Sequence, residues 1–434
     1  MRRRAIGAGL LLAALAHEPA AAQLTLERVV ILSRHGVRSP TDSAALTAYA
    51  SRPWPTWPVP DGHLTPRGEQ LAALMGAYYR KHYSARGLLP ARGCPKPDEL
   101  YLWADVDQRT RLTGAGLLEG MFPGCGLAVR NAPTDKPDPL FHPVRAGTCA
   151  IDGEQARAAV LERVGGRLET VLGTHRDSVQ KLQAVLGCCA ARLCQASGLQ
   201  SCTLATLPST LDVRAKDGGV RLTGPITIGS TAAEVFLLEY AQGLPRDQVA
   251  WGRASTPAAI RALLRLHRLQ FDLIERTPYL AARQGSALVD RILDALRQTV
   301  EARTDTRVPV PVASKLVVYV GHDTNLANIG GMLGLHWRLK TYLPDETPPA
   351  GALAFELLRE KASGRYFVRL AYYAQTLDQM RRATRLGLGN PPDRAAIAFP
   401  RCADARQGNA CPWPEFAARM KKALDQDCIA AKPQ

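Results

Sequence analysis

Val29-Val30-Ile31-Leu32 runs directly into Ser33-Arg34-His35-Gly36-Val37-Arg38-Ser39-Pro40. The apolar part has the length and β-branched content of a buried strand. Gly36 permits a sharp bend at low steric cost, and Pro40 discourages further strand. A strand that ends in Arg-His-Gly-x-Arg holds one imidazole between two guanidiniums on a tight turn. Two fixed cations beside a histidine make an anion site, and the planar arginine fork suits phosphate oxygens. His35 is therefore a candidate nucleophile or acid–base group acting on a phosphate.

Two later stretches repeat the pattern. Leu100-Tyr101-Leu102-Trp103-Ala104 reads as a strand that ends in Asp105-Val106-Asp107-Gln108-Arg109, with a helix from about Thr110 to Met121. Lys315 to Val320 reads as a strand that ends in Gly321-His322-Asp323-Thr324-Asn325, followed by a helix through Leu326, Ile329 and Leu333. In open α/β sheets, ligands bind at such strand-to-helix handovers. If the three strands share one sheet, Arg34, His35, Arg38, Asp105, Arg109, His322 and Asp323 converge at one edge. Phosphate-ester hydrolysis needs that set: a nucleophile in line with phosphorus, cations on the equatorial oxygens, and an acid for the leaving alkoxide. His35 fits the nucleophile, with its other ring nitrogen fixed by a backbone carbonyl such as that of Gly36. Arg34, Arg38, Arg109 and His322 fit the clamp, and Asp323 the acid. Since Asp323 must be protonated to act, activity should fall toward neutral pH.

The 434 residues, 46% of them hydrophobic, are enough for a large core, divided between two domains. Met1-Arg2-Arg3-Arg4, the apolar run from Ala5 to Ala16 and Ala20-Ala21-Ala22 read as a signal peptide over residues 1–22, cut after Ala22. The apolar run is too short to span a bilayer. Ten cysteines fit the oxidising, periplasmic or secreted destination that a leader implies, and their even number fits five bridges. Cys188, Cys189 and Cys194 lack the paired spacing of a zinc ribbon, so no metal is expected. Removing Met1 to Ala22 takes away three arginines and one glutamate and lowers the net charge from +16 to +14. The arginines are scattered, with no basic tail and no interleaved aromatic motif. A small polyanion accounts for them as well as nucleic acid does.

Between the motifs, Ser43 to Ala50 has a short helical pattern. Pro53 to Pro60 is a rigid proline–tryptophan loop that either lines a pocket wall or packs on the surface. Thr65 before Pro66 is a natural start for a helix through Leu71, Leu74, Met75 and Tyr78. Residues 153–186 and 230–276 carry helical periodicity, with Asp217-Gly218-Gly219 a candidate hairpin between them. Pro257 to Glu275 reads as one long helix, on which His267 is structural or substrate-facing. Leu353 to Leu358 and Phe367 to Tyr373 read as an antiparallel pair. The domains expected are an α/β domain, residues 23–145 and 277–434, and an inserted α domain, residues 146–276.

Arg34 to Pro40 and His322-Asp323, with Pro55 to Val59, Leu64 to Gly68, Ala104 to Asp107, Arg109 to Arg111 and Gly321 to Asn328, resemble the histidine acid phosphatase family. This is branch 2 of the histidine phosphatases, and the likeness is to its enterobacterial periplasmic phytases and acid phosphatases. The resemblance implies a central mixed sheet flanked by helices with a smaller, mostly α domain inserted. It also implies a phosphohistidine intermediate at acidic pH with no metal or cofactor. By motif position, His35 is the nucleophile and Asp323 the proton donor. Arg34, Arg38, Arg109 and His322 bind the scissile phosphate, and Thr41, Asp105, Glu234 and Thr324 line the substrate pocket. Asp42 stands at the pocket where a similar phytase has a phosphate-contacting lysine, and Thr231 stands near it in place of a methionine. The resemblance implies the pairs Cys94–Cys125, Cys149–Cys428 and Cys402–Cys411. Cys188, Cys189, Cys194 and Cys202 pair among themselves in an order left open, with adjacent Cys188 and Cys189 not expected to join each other.

The activity expected is a periplasmic phosphomonoesterase, a phytase foremost, with a glucose-1-phosphatase or broad acid phosphatase as the alternative. The partner is a small phosphate ester, with no nucleic acid and no membrane anchor, and the chain is expected to be a monomer. A phosphoglycerate-mutase-like enzyme is opposed by the leader, the cysteines and the built-in acid Asp323. A phosphate-binding protein without turnover is opposed by His35 and Asp323 together.

Overall fold

The computed structural model describes residues 24–303, 309–402 and 408–429. The expected signal peptide lies outside the described residues. Nine strands are present among the described residues: β1 (Leu24–Arg34), β2 (Leu100–Ala104), β3 (Leu211–Val213), β4 (Val220–Leu222), β5 (Leu316–Gly321), β6 (Ala352–Glu360), β7 (Tyr366–Ala374), β8 (Asp393–Ile397) and β9 (Cys411–Pro412). The central sheet runs β2-β5-β1-β6-β7-β8, with β9 also on β7, while β3 and β4 form a separate hairpin. β5 pairs in parallel with both β1 and β2, whereas β6, β7 and β8 are antiparallel to their neighbours, so the sheet is mixed.

β1 sits in the middle of this sheet, which is why Val29 to Leu32 are continuously apolar and wholly buried. Strand side chains alternate between faces. Val30 and Leu32 enter one core with Val317, Tyr319, Leu353 and Phe355. Val29 and Ile31 enter another with Leu316, Val318, Ala352 and Ala354. The first core continues into the helices Pro225–Gln242 (Phe236, Leu238) and Pro278–Glu301 (Leu288, Ile292). The second is closed by the helices Pro66–Ser84 and Gln108–Met121. Thr65 caps the first of these, its side chain accepting from the Gly68 N–H at 2.9 Å.

Several local expectations change. The helix after Asp42 spans only Ser43–Leu46. The stretch Pro257 to Glu275 is two helices, Pro257–Leu263 and Arg265–Leu273. Leu263, Leu264 and Leu266 are all buried, a wider arc than one straight helical stripe covers. The proline–tryptophan loop packs on helix Pro225–Gln242: Trp54 stacks on Phe236 with ring centroids 5.3 Å apart.

All ten cysteines are bridged. Cys94 is joined to Cys125, Cys149 to Cys428 and Cys402 to Cys411. Cys188 and Cys189 are joined to each other, against expectation. Cys194 closes its own loop with Cys202, Cα atoms 5.4 Å apart, which leaves the adjacent pair no other partner.

Candidate active site

The parallel register decides the site. Arg34 on β1 stands level with Gly321 on β5, and Ala104 on β2 level with Val320. The next residues, His35, His322 and Asp105, therefore leave the sheet side by side. The His35 N–H donates to the Gly321 carbonyl and the Asp105 N–H to that of Val320, both at 2.9 Å. The His35 and His322 ring centroids are 5.5 Å apart. Gly36 is needed for close approach: a Cβ there would lie 2.8 Å from the Gly68 carbonyl oxygen.

His35 is buried and its Nδ1 lies 2.9 Å from the Gly36 carbonyl. Nδ1–H donation to that oxygen leaves the Nε2 lone pair free. Burial, then Arg34, Arg109 and Arg38, hold its pKa well below the ordinary value. Both features favour the neutral imidazole, the form a nucleophile needs.

Arg34 is buried between two carboxylates. It forms an ion pair with Glu234 and another with Asp323 Oδ2 at 2.9 Å, and it donates to the Thr347 carbonyl at 2.7 Å. Burial pushes the Asp323 carboxyl up, but Arg34 and Arg38 outweigh it and hold the group down at about 2. In the free protein Asp323 is therefore ionised across the acidic range. For Asp323 to act as the acid, its proton must therefore arrive once an anion offsets the guanidiniums. Arg109 stands in the first turn of helix Gln108–Met121, pairs with Asp107, and reaches to 3.4 Å from His322 Nδ1. Arg38 follows Gly36 and faces the cleft.

Asp105 departs most from its expected place. It is fully buried and does not line the cleft. Its Oδ2 takes His322 Nε2 at 2.6 Å and His142 Nε2 at 2.9 Å. Burial raises its pKa, but these two contacts outweigh it and keep the carboxyl ionised. Asp105 thus orients His322, whose Nδ1 points toward Arg109. Asp105, Asp107, His142 and His322 lie close together. The two carboxylates pair with the imidazoles and with Arg109, which makes the cluster an ion-pair network.

A cleft of about 410 Å³ opens above these groups. One wall carries Arg38, Thr41, Asp42, Tyr49, Asp323 and Thr324. The other carries Ser230, Thr231, Glu234, His267, Gln270 and Glu275, all from the 146–276 segment. Thr41, Asp42, Glu234 and Thr324 thus line the cleft, and His267 faces it. Asp42 also caps the short helix, accepting from the Ala45 N–H at 2.8 Å. Glu275, Gln270 and Ser230 were not singled out from sequence, because they lie within helical periodicity that carries no motif. Burial raises the Glu275 carboxyl to about 7. His142 carried no local signal either, since it sits in an irregular loop far in sequence from its partner.

The histidine phosphatase superfamily (branch 2) pattern matches residues 25–373, from β1 to β7. The chain belongs to that family. Phytase AppA of Escherichia coli (strain K12) is 38% identical over 411 residues, 94% of either chain. A glucose-1-phosphatase of Providencia rettgeri is 29% identical over 409 residues, 93% of either chain. The Hafnia alvei phytase, solved in complex with myo-inositol hexakis sulphate, superposes with a TM-score of 0.85 at 40% identity, over 94% of this chain and 99% of that one. This histidine phosphatase is a phosphomonoester hydrolase with the mixed α/β fold of those phytases, and no helix among its described residues is long and apolar enough to cross a membrane.

Proposed function

We propose that the protein is a phytase that works through a phosphohistidine on His35. One observation carries the mechanism: a neutral His35, its Nδ1 pinned by the Gly36 carbonyl, lies among Arg34, Arg38, Arg109 and His322 at one strand-end edge. The ester phosphate binds to the three guanidiniums and to His322. His35 Nε2 attacks phosphorus as the P–O bond to the alcohol breaks. Asp323 gives its proton to the departing oxygen. Water then attacks the phosphohistidine, Asp323 takes the water proton, and inorganic phosphate leaves with His35 restored.

The bound phosphate supplies the condition that Asp323 lacks in the free protein. A phosphate anion beside Arg34 and Arg38 offsets their charge and lets the carboxyl hold a proton. A monoanionic ester brings that proton with it. Activity therefore falls as the ester loses its second proton, at about pH 6.

The Hafnia alvei enzyme holds a hexasulphate of myo-inositol, which supports a polyanion as substrate. The 410 Å³ cleft is in the usual range for a small-molecule site. Asp42, Glu234, Glu275 and Asp323 in its walls favour the second reading, a glucose-1-phosphatase or broad acid phosphatase. Side-by-side initial rates on phytate and glucose 1-phosphate in acid separate the two. Phytate is expected to give the higher kcat/KM, and the opposite order removes the phytase assignment. Residues 146–276 form an inserted substrate-facing unit on the phosphatase domain of residues 23–145 and 277–434. The enzyme acts as a metal-free monomer after export to the periplasm and cleavage after Ala22, which the leader-like start and the five bridges support.

A further inference from the structure

His142 belongs to the strand-end network, yet the mechanism above does not use it. Its loop is tied down on both sides. The His142 N–H donates to the Asp138 carbonyl at 2.9 Å. The Phe141 carbonyl accepts from the Asn325 side chain at 2.9 Å, in the first turn of the helix that carries Asp323. The imidazole is thereby delivered to Asp105 Oδ2 at 2.9 Å, the same oxygen that His322 approaches to 2.6 Å. The two rings stand 4.9 Å apart. Asp105 Oδ1 is buried with no hydrogen-bond partner, so it offers neither ring a second acceptor.

To grip a phosphate oxygen through Nδ1, His322 must carry protons on both nitrogens, one for phosphate and one for Asp105. The Asp105 carboxylate is what stabilises that imidazolium. His142 draws on the same oxygen and so weakens the hold of Asp105 on His322. We propose that His142 is a positioning residue that divides the Asp105 carboxylate with His322 and so limits how far toward neutral pH the clamp keeps its hold on phosphate. The inference rests on the phosphate-binding role of His322 proposed above. Besides Asp105, the charged or titratable groups facing the pair are Asp107, Asp138, Arg109, His35 and Asp323. Replacing His142 leaves all of them in place. The direct effect of His142 on His322 is to lower its proton affinity.

The test uses the full-length enzyme with His142→Phe, which removes the donor, and His142→Gln, which keeps a neutral donor. The His322 imidazole is titrated by NMR, and inorganic phosphate binding is measured by calorimetry in acid and at neutral pH. His142→Phe should move the His322 titration up by about half a unit or more. Phosphate should bind about 3-fold tighter at neutral pH and equally in acid. His142→Gln should move His322 in the same direction by less. An unmoved His322 titration in either folded variant overturns the proposal. Phosphate affinity lost equally at both pH values in His142→Phe and restored in His142→Gln also overturns it, because that marks a purely structural prop. A shifted His322 titration with unchanged phosphate affinity supports the sharing of Asp105 and overturns the phosphate role of His322 instead.

Discussion

Two buried arginine–carboxylate networks flank the same sheet, and only one of them is the proposed site. In the body of the sheet, Glu356 on β6 is fully buried. It accepts from Arg86 at 2.5 Å and from Arg369 at 3.0 and 2.9 Å. No buried side-chain atom of these three residues lacks a partner. At the strand ends, Arg34, Arg38 and Arg109 each keep a buried Nε–H with no partner, although Glu234, Asp323 and Asp107 stand beside them. Burial of charge is common to both regions. Unmet donors, and a neutral histidine set among them, belong to one. A saturated network holds structure together, whereas guanidiniums with donors to spare around a histidine can take up an anion.

Substitutions in the two regions should therefore have opposite signatures. The largest effect is expected from His35→Ala, which should lower turnover of p-nitrophenyl phosphate by about 10⁴-fold or more with the melting temperature little changed. Residual turnover near the parent level breaks the phosphohistidine assignment. Asp323→Asn comes next, with kcat on an alkyl phosphate falling about 10²- to 10⁴-fold. The loss on p-nitrophenyl phosphate should be much smaller, since that leaving group needs no proton. Equal losses on both substrates deny Asp323 the role of acid.

The structural network should answer in the other currency. Glu356→Gln leaves two guanidiniums beside a neutral amide and should cost about 3–5 kcal/mol of stability, read from denaturant melts. Turnover per folded molecule should hold. The smallest effect is expected at the rim, where Asp42→Lys exchanges an exposed charge. KM for phytate should fall about 2- to 5-fold, with KM for glucose 1-phosphate unmoved.

Much of this was legible in the chain. Val29 to Leu32 and Leu316 to Val320 are apolar on both faces because both strands lie inside the sheet, and that pattern is local. The proposed clamp and His35 were legible because each lies at a strand end or within a few residues of one. Asp105 was legible as a strand-end residue but not in its role. A side chain that leaves a strand end can turn to the cleft or under it, and only the facing loop with His142 fixes which. The break at Leu264 was hidden because consecutive leucines fit a helix equally well until the packing on both sides is known. The joining of Cys188 to Cys189 follows from Cys194 finding Cys202, a spatial choice that spacing does not encode.

By itself the sequence determined five strands of the central sheet, the order of polar groups at three of their ends and the reaction proposed for those groups, because short apolar runs and residue chemistry are read over a few neighbours. The tertiary structure alone decided the register that sets His35 beside His322, the ion pairs that strip Asp323 of its proton, and the sharing of Asp105 between two imidazoles. Those depend on distances between residues hundreds of positions apart, and such distances exist only once the sheet has closed.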